Sequence, residues 1–147
     1  WPMHLNEAFA LRDQFGWKPA TDNGRFFTTP VSNGEEDGFI GLDTTNSTLA
    51  SKINFSMSTR LPEETPPEIQ AMTQSIYDSY VETLNALYGA GDSDPDPEVA
   101  STQWLLPSRA SVVIAATSGL LYASIDSPAM TDLTEAEQRY FDEGGEI

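Results

Sequence analysis

The sequence predicts an α+β domain: a mainly antiparallel sheet of about six strands with helices packed on one face, in the order α-βββ-α-βββ-α. Three observations predict it. Residues Lys52–Arg60 alternate with period two, setting Ile53, Phe55, Met57 and Thr59 against Lys52, Asn54, Ser56, Ser58 and Arg60. That pattern is one packed and one wetted face of an antiparallel sheet. After Thr65 the apolar residues recur at helical spacing instead. A length of 147 with 39% hydrophobic residues suits one domain burying roughly two-thirds of its unfolded surface, and is too apolar for a disordered acidic chain.

Each element follows from local chemistry. The first helix is expected over Leu5–Phe15, with Leu5, Ala8, Phe9 and Phe15 near one face, Asn6 as its cap and Gly16 at the left-handed C-terminal position. Strands are expected at Arg25–Val31, after Asp22-Asn23-Gly24, and at Gly38–Thr44, after Asn33-Gly34. Lys52–Arg60 is the third. In the second helix, Thr65-Pro66-Pro67-Glu68 combines a capping box with proline in the first turn, where its missing N–H is not needed. Ile69, Met72, Ile76, Tyr80, Leu84 and Leu87 form its expected core face, and Gly89 ends it. An acidic loop, Gly91 to Glu98, leads to Thr102–Leu106. The strands Ser111–Thr117 and Leu120–Ile125 flank a Ser118-Gly119 hairpin turn. A last helix is expected from the capping box at Thr134-Glu135-Ala136-Glu137 to just before Gly144-Gly145. Trp104 reads as a core anchor, and Tyr77, Tyr80 and Tyr88 as core-edge residues. No internal repeat stands at a fixed period.

Charge decides which functions are open. There are 23 Asp and Glu against 7 Lys and Arg, a formal net charge of −16. Leu61–Ser108 contains no cation and nine acids: Glu63, Glu64, Glu68, Asp78, Glu82, Asp92, Asp94, Asp96 and Glu98. Asp78 and Glu82 stand four apart on one helix, a like-charge spacing that costs about 0.2–0.5 kcal/mol. The resulting field repels nucleic acid and anionic membranes and attracts cationic surfaces. Seven scattered cations supply no basic stripe for phosphates, and no run reaches the ~18 apolar residues of a membrane helix.

Catalytic and metal motifs are lacking. With no Cys and a single His, His4, neither a thiol nor a Ser-His-Asp arrangement is expected. Asp92–Glu98 opens like a calcium loop, but Pro97 stands where an EF-hand needs Gly and Gln103 where it needs a bidentate acid. Gly34 to Gly41 is a turn between strands rather than a phosphate cradle. Two carboxylates suffice for glycoside hydrolysis, but among 23 acids the sequence singles out no pair. No enzyme activity, cofactor or metal is therefore expected. The Asn-x-Ser/Thr matches at Asn46 and Asn54 arise readily by chance in a chain this rich in Ser and Thr.

Two explanations compete for the acidity: a uniform halophilic coat, or a face that docks a basic protein. The cation-free segment favours the second. The candidate partner-binding residues are Asp78, Glu82, Asp92, Asp94, Asp96 and Glu98, with Glu35, Glu36 and Asp37 at a strand-strand loop as secondary candidates.

Leu11-Arg12-Asp13-Gln14-Phe15-Gly16-Trp17, the strong mid-chain helix, Trp104 leading into Ser111–Ile125 and the acidic closing stretch Leu133 to Ile147 occur in that order. In that combination the chain resembles small acidic actinobacterial immunity-type proteins associated with polymorphic-toxin loci. The resemblance implies stoichiometric, non-enzymatic neutralisation of a cognate secreted toxin in the cytoplasm of the producer. It carries over no catalytic residues. That family usually begins with further residues before Leu5, and the opening on Trp1 rather than Met fits a shortened start or a removed leader. Element order and charge alone also resemble type III secretion chaperones, which would imply a dimer with an exposed apolar groove.

Overall fold

The computed structural model describes residues 2–20, 24–62, 64–94, 96 and 98–144. The expected turn residues Asp22 and Asn23, the acid Glu63 and the terminal stretch from Gly145 lie outside them. The elements are α1 Leu5–Gln14, β1 Lys18–Pro19, β2 Phe26–Thr28, β3 Gly38–Leu42, β4 Ala50–Ser56, α2 Pro67–Tyr88, β5 Asp92–Asp94, β6 Ala100–Leu105, β7 Ser111–Ala116, β8 Leu121–Asp126 and α3 Pro128–Asp142. The protein is α+β with an antiparallel sheet, but that sheet has eight strands in the order β1-β2-β3-β4-β8-β7-β6-β5. The expected six strands and the order α-βββ-α-βββ-α are corrected to α-ββββ-α-ββββ-α. The two additional strands are the edges. One is a Lys-Pro pair and the other an Asp-Ser-Asp run, neither with the alternation or β-branched residues by which strands are read.

The sheet consists of two like halves. α1 with β1–β4 and α2 with β5–β8 meet where β4 pairs with β8, Ile53 opposite Ile125. Outward from that pair, Ile53 lies opposite Ile40 on β3 and Ile125 opposite Val112 on β7. The same sequence offset separates Ile40 from Val112 and Ile53 from Ile125, so an approximate two-fold axis runs through the central pair. Outside these central strands the offset is not kept, Phe39 pairing with Phe26 where Ser111 pairs with Leu105, and α1 and α2 differ in length, which hides the repeat from the sequence.

α1 and α2 lie on the same face. Ala8 of α1 packs with Phe27, Ile40, Ala50 and Ile53, while Tyr77 of α2 packs with Trp104, Ile114, Leu121 and Ala123. Phe55 belongs to both clusters, and Trp17 stacks on Phe27 with ring centroids 5.0 Å apart while lying 5.0 Å from Phe55. Ile53, Phe55 and Met57 thus share the packed face, as their alternation predicts. The strand itself stops at Ser56, where Met57 and Ser58 turn their N–H groups to Leu121 O. Thr59 instead donates to Val31 O at 2.8 Å.

The helix starts differ from expectation. α1 is capped by His4 rather than Asn6, with the Glu7 carboxylate accepting the His4 N–H at 3.3 Å. α2 follows Pro66 with no side-chain cap, so Thr65 does not complete a capping box. The left-handed Gly16 and Gly89 stand where expected. α3 begins six residues before Thr134, because Ser127 Oγ accepts the Met130 N–H at 3.1 Å and proline occupies the first turn.

α3 also corrects the placement of all helices on one face. Thr131 bonds Ser111, and Ser111 alternates with Val112, whose side chain packs towards α2. α3 therefore crosses the opposite face. Its hold is slight: Thr131 is its buried residue, and Arg109 bridges to Asp132 and Glu135 at 2.6 Å each in solvent-exposed positions. Such surface pairs contribute about 0–1 kcal/mol. Ending the chain at Ser127 is expected to leave a cooperative fold destabilised by about 1–3 kcal/mol. Urea unfolding followed by circular dichroism measures this, and loss of the cooperative transition would contradict it.

The β3–β4 loop is held by Asp43. Its carboxylate accepts the Thr45 hydroxyl at 2.7 Å, the Thr45 N–H at 2.8 Å and the Asn46 N–H at 3.1 Å. Chiefly through the Thr45 hydroxyl and N–H, the carboxyl titrates below its ordinary value. Because the folded value is depressed, this contribution to stability is full above the ordinary Asp range and lost as pH falls through the folded value. An NMR titration is expected to place Asp43 below a free Asp; a midpoint at or above the ordinary value would contradict the loop geometry.

Candidate protein-docking site

The packing of α2 is the main surprise. Thr73, Tyr77, Val81 and Leu84 face the sheet. Of the expected core face only Leu84 does. Ile69, Met72, Ile76, Tyr80 and Leu87 remain between 41 and 67% exposed. The helix carries two adjacent apolar stripes, and the sheet takes the one whose polar members find partners. Tyr77 Oη bonds Thr102 Oγ1 at 2.6 Å in the interior, and Ser93 Oγ reaches the same hydroxyl at 2.9 Å. Trp104 is buried as expected, its Nε1–H shared between Asn85 Oδ1 at 3.1 Å and Gly89 O at 3.2 Å. Tyr80 and Tyr88 stand in solvent rather than at the core edge.

The nine candidate acids do not form one flat patch. Asp78 and Glu82 lie on the outer side of α2. Asp92 and Asp94 pair with Gln103 and Ser101 on the face away from α2. Asp96 and Glu98 form the end between β5 and β6, lining an open groove against Pro67, Gln70 and Gln74 of α2. These six carboxylates thus wrap round the β5 edge. Asp94 Oδ1 accepts the Asp96 N–H at 3.1 Å, and Asp96 Oδ1 accepts the Glu98 N–H at 2.8 Å, so the acids also shape the connection they charge. On an edge strand they further discourage pairing with another chain.

Glu35, Glu36 and Asp37 join β2 to β3 at the same end of the sheet as Asp96 and Glu98. Five strand spacings separate β3 from β5, about 24 Å, so this is a second lobe. Asp37 is not free to bind: its two carboxylate oxygens accept Ser32 Oγ at 2.6 Å and Ser56 Oγ at 2.7 Å. Glu35 lies 3.9 Å from Arg60, both exposed, and Glu36 is exposed.

The cations fall elsewhere. Arg12 is buried, bonding Gly24 O at 2.6 Å and Asp13 at 2.9 Å. Lys18, Arg25 and Lys52 belong to the β1–β4 half, Arg60 follows β4, Arg109 is engaged with α3, and Arg139 lies on α3 itself, which borders the hollow that Asp92 lines. α2, β5 and β6, which lie together at one side of the sheet, contain no Lys or Arg. Among the described residues, no three or more His, Asp or Glu side chains are grouped to hold a metal ion, and no helix is long and apolar enough to cross a membrane.

The outer stripe of α2 is a surface, although its helical apolar spacing points to the core. The signal was present in the small row Ser75, Ser79 and Thr83, which shows that flank is not uniformly apolar.

The chain belongs to a family of unknown function, DUF6301, whose pattern matches residues 1–127. The match covers both halves of the sheet and stops before α3. No curated protein and no solved structure matches the chain.

Proposed function

We propose that the protein is a non-enzymatic binding protein of immunity or antitoxin type, which neutralises a cognate secreted toxin by stoichiometric association in the cytoplasm. The observation that supports this reading is the absence of Lys and Arg from α2, β5 and β6, whose exposed carboxylates, with those of the β5–β6 connection, gather at one edge of the sheet. Such a surface accelerates encounter with a basic partner and imposes orientation on it.

Co-expression with the product of the adjacent gene tests the proposal. The expected result is a one-to-one complex on gel filtration and restored growth of cells producing that product. Undiminished toxicity with no complex would overturn it. The exposed α2 stripe favours one other reading, a secretion-chaperone-like protein that holds an apolar segment. That reading requires a dimer, which light scattering detects. A halophilic coat predicts instead that stability climbs steadily into molar salt.

A further inference from the structure

We infer that the outer stripe of α2 is a docking groove for a partner's amphipathic α-helix bearing basic flanks. The inference rests on the binding reading above and names the chemistry of the segment bound.

Tyr77 and Asn85 reach Thr102 and Trp104 on β6, which fixes the flank of α2 that looks towards the β5 edge. At 3.6 residues per turn, Ile69, Ile76, Tyr80 and Leu87 lie roughly 60–100° round from Tyr77 on the other side. They face away from that edge and keep 41 to 67% of their surface exposed. The surface is regular. Met72, Ile76 and Tyr80, spaced by four, form a ridge, and Ser75, Ser79 and Thr83, also spaced by four, form a valley beside it. An open hollow lies over Ser75, Ile76, Ser79, Tyr80 and Thr83. A ridge beside a valley at this spacing is the relief into which another helix packs. From Ile69 to Leu87 it extends about 27 Å, enough for a helix of about 18 residues.

Charge selects the occupant. α2 carries Glu68, Asp78 and Glu82 with no cation, so docking two copies through this face would appose like charges in a chain of net −16. A helix with Lys or Arg beside its apolar ridge meets opposite charge instead. Continuous exposed apolar surface with a polar border is the form that interaction sites take.

The test uses three labelled 18-residue peptides and fluorescence anisotropy. One has leucines at helical spacing with lysine flanks, one has the same leucines with glutamate flanks, and one is a shuffled form of the first. The lysine-flanked peptide is expected to bind at least about tenfold tighter than the other two. Ile76→Ser/Tyr80→Ser is expected to weaken it by about tenfold or more while leaving the circular dichroism spectrum and melting temperature near wild type. Equal binding of the shuffled peptide, or an unaffected double variant, would overturn the inference. So would a wild-type dimer in sedimentation that the double variant abolishes, since a second copy would then fill the groove. Binding of the peptide without binding of the adjacent gene product would sink the immunity reading alone. Normal binding of that product by the double variant would sink the groove alone.

Discussion

Trp104→Ala is expected to lower stability by about 3–5 kcal/mol, a large part of the ~5–15 kcal/mol typical of a domain. The side chain is 3% exposed and joins α2 to the sheet through Tyr77, Ile114 and its neighbours. Its removal leaves a cavity, because Gly91 already abuts the ring: a Cβ there would stand 2.8 Å from it. It also strips the Nε1–H from Gly89 O, one of the carbonyls at the end of α2. Asn85 keeps a donor in the Gly91 N–H at 3.0 Å, so the loss there is partial. Trp104→Phe retains most of the ring and loses the donor, for an expected cost of about 1–2 kcal/mol. Urea midpoints with unchanged slopes would show the gradation. A midpoint for Trp104→Ala equal to wild type would mean that α2 is not anchored through this residue.

The second large effect concerns charge. Replacing Asp92, Asp94, Asp96 and Glu98 together by lysine is expected to weaken the proposed complex with the adjacent gene product by about 100-fold or more, acting mainly on the association rate. Asp94 and Asp96 also accept backbone N–H bonds, so lysine substitution disturbs the connection as well as its charge. The Asn and Gln counterparts separate the two roles, because an amide oxygen still accepts those bonds. They are expected to give an intermediate loss with an unchanged melting temperature. Glu35→Lys/Glu36→Lys is expected to have a smaller effect, that lobe lying about 24 Å away. Affinity unchanged in the lysine variant would remove the β5 edge from the docking surface.

What the sequence revealed follows from which signals are local. Ile53, Phe55 and Met57 announced a half-buried strand because alternation is written in adjacent residues. Gly16 and Gly89 marked helix ends because a left-handed backbone needs glycine. β5 was hidden, since Asp-Ser-Asp becomes a strand only through pairing with Gln103, Thr102 and Ser101. The face of α2 was misread for a related reason. Apolarity alone favours Ile69, Met72, Ile76, Tyr80 and Leu87, whereas the choice turned on Tyr77 finding Thr102 across the sheet. The cation-free run of acids was plain in the sequence. Its wrapping round the β5 edge, and the engagement of Asp37 by Ser32 and Ser56, depend on topology that no local pattern encodes.

The most direct test of the docking proposal is a stopped-flow measurement of association between this protein and the adjacent gene product, from about 50 to 500 mM NaCl, a range over which screening shortens the reach of charge severalfold. The expected result is an association rate that falls at least about tenfold across the range for the wild type and far less for the lysine variant of the β5 edge. A rate indifferent to salt, and the same in both proteins, would contradict it.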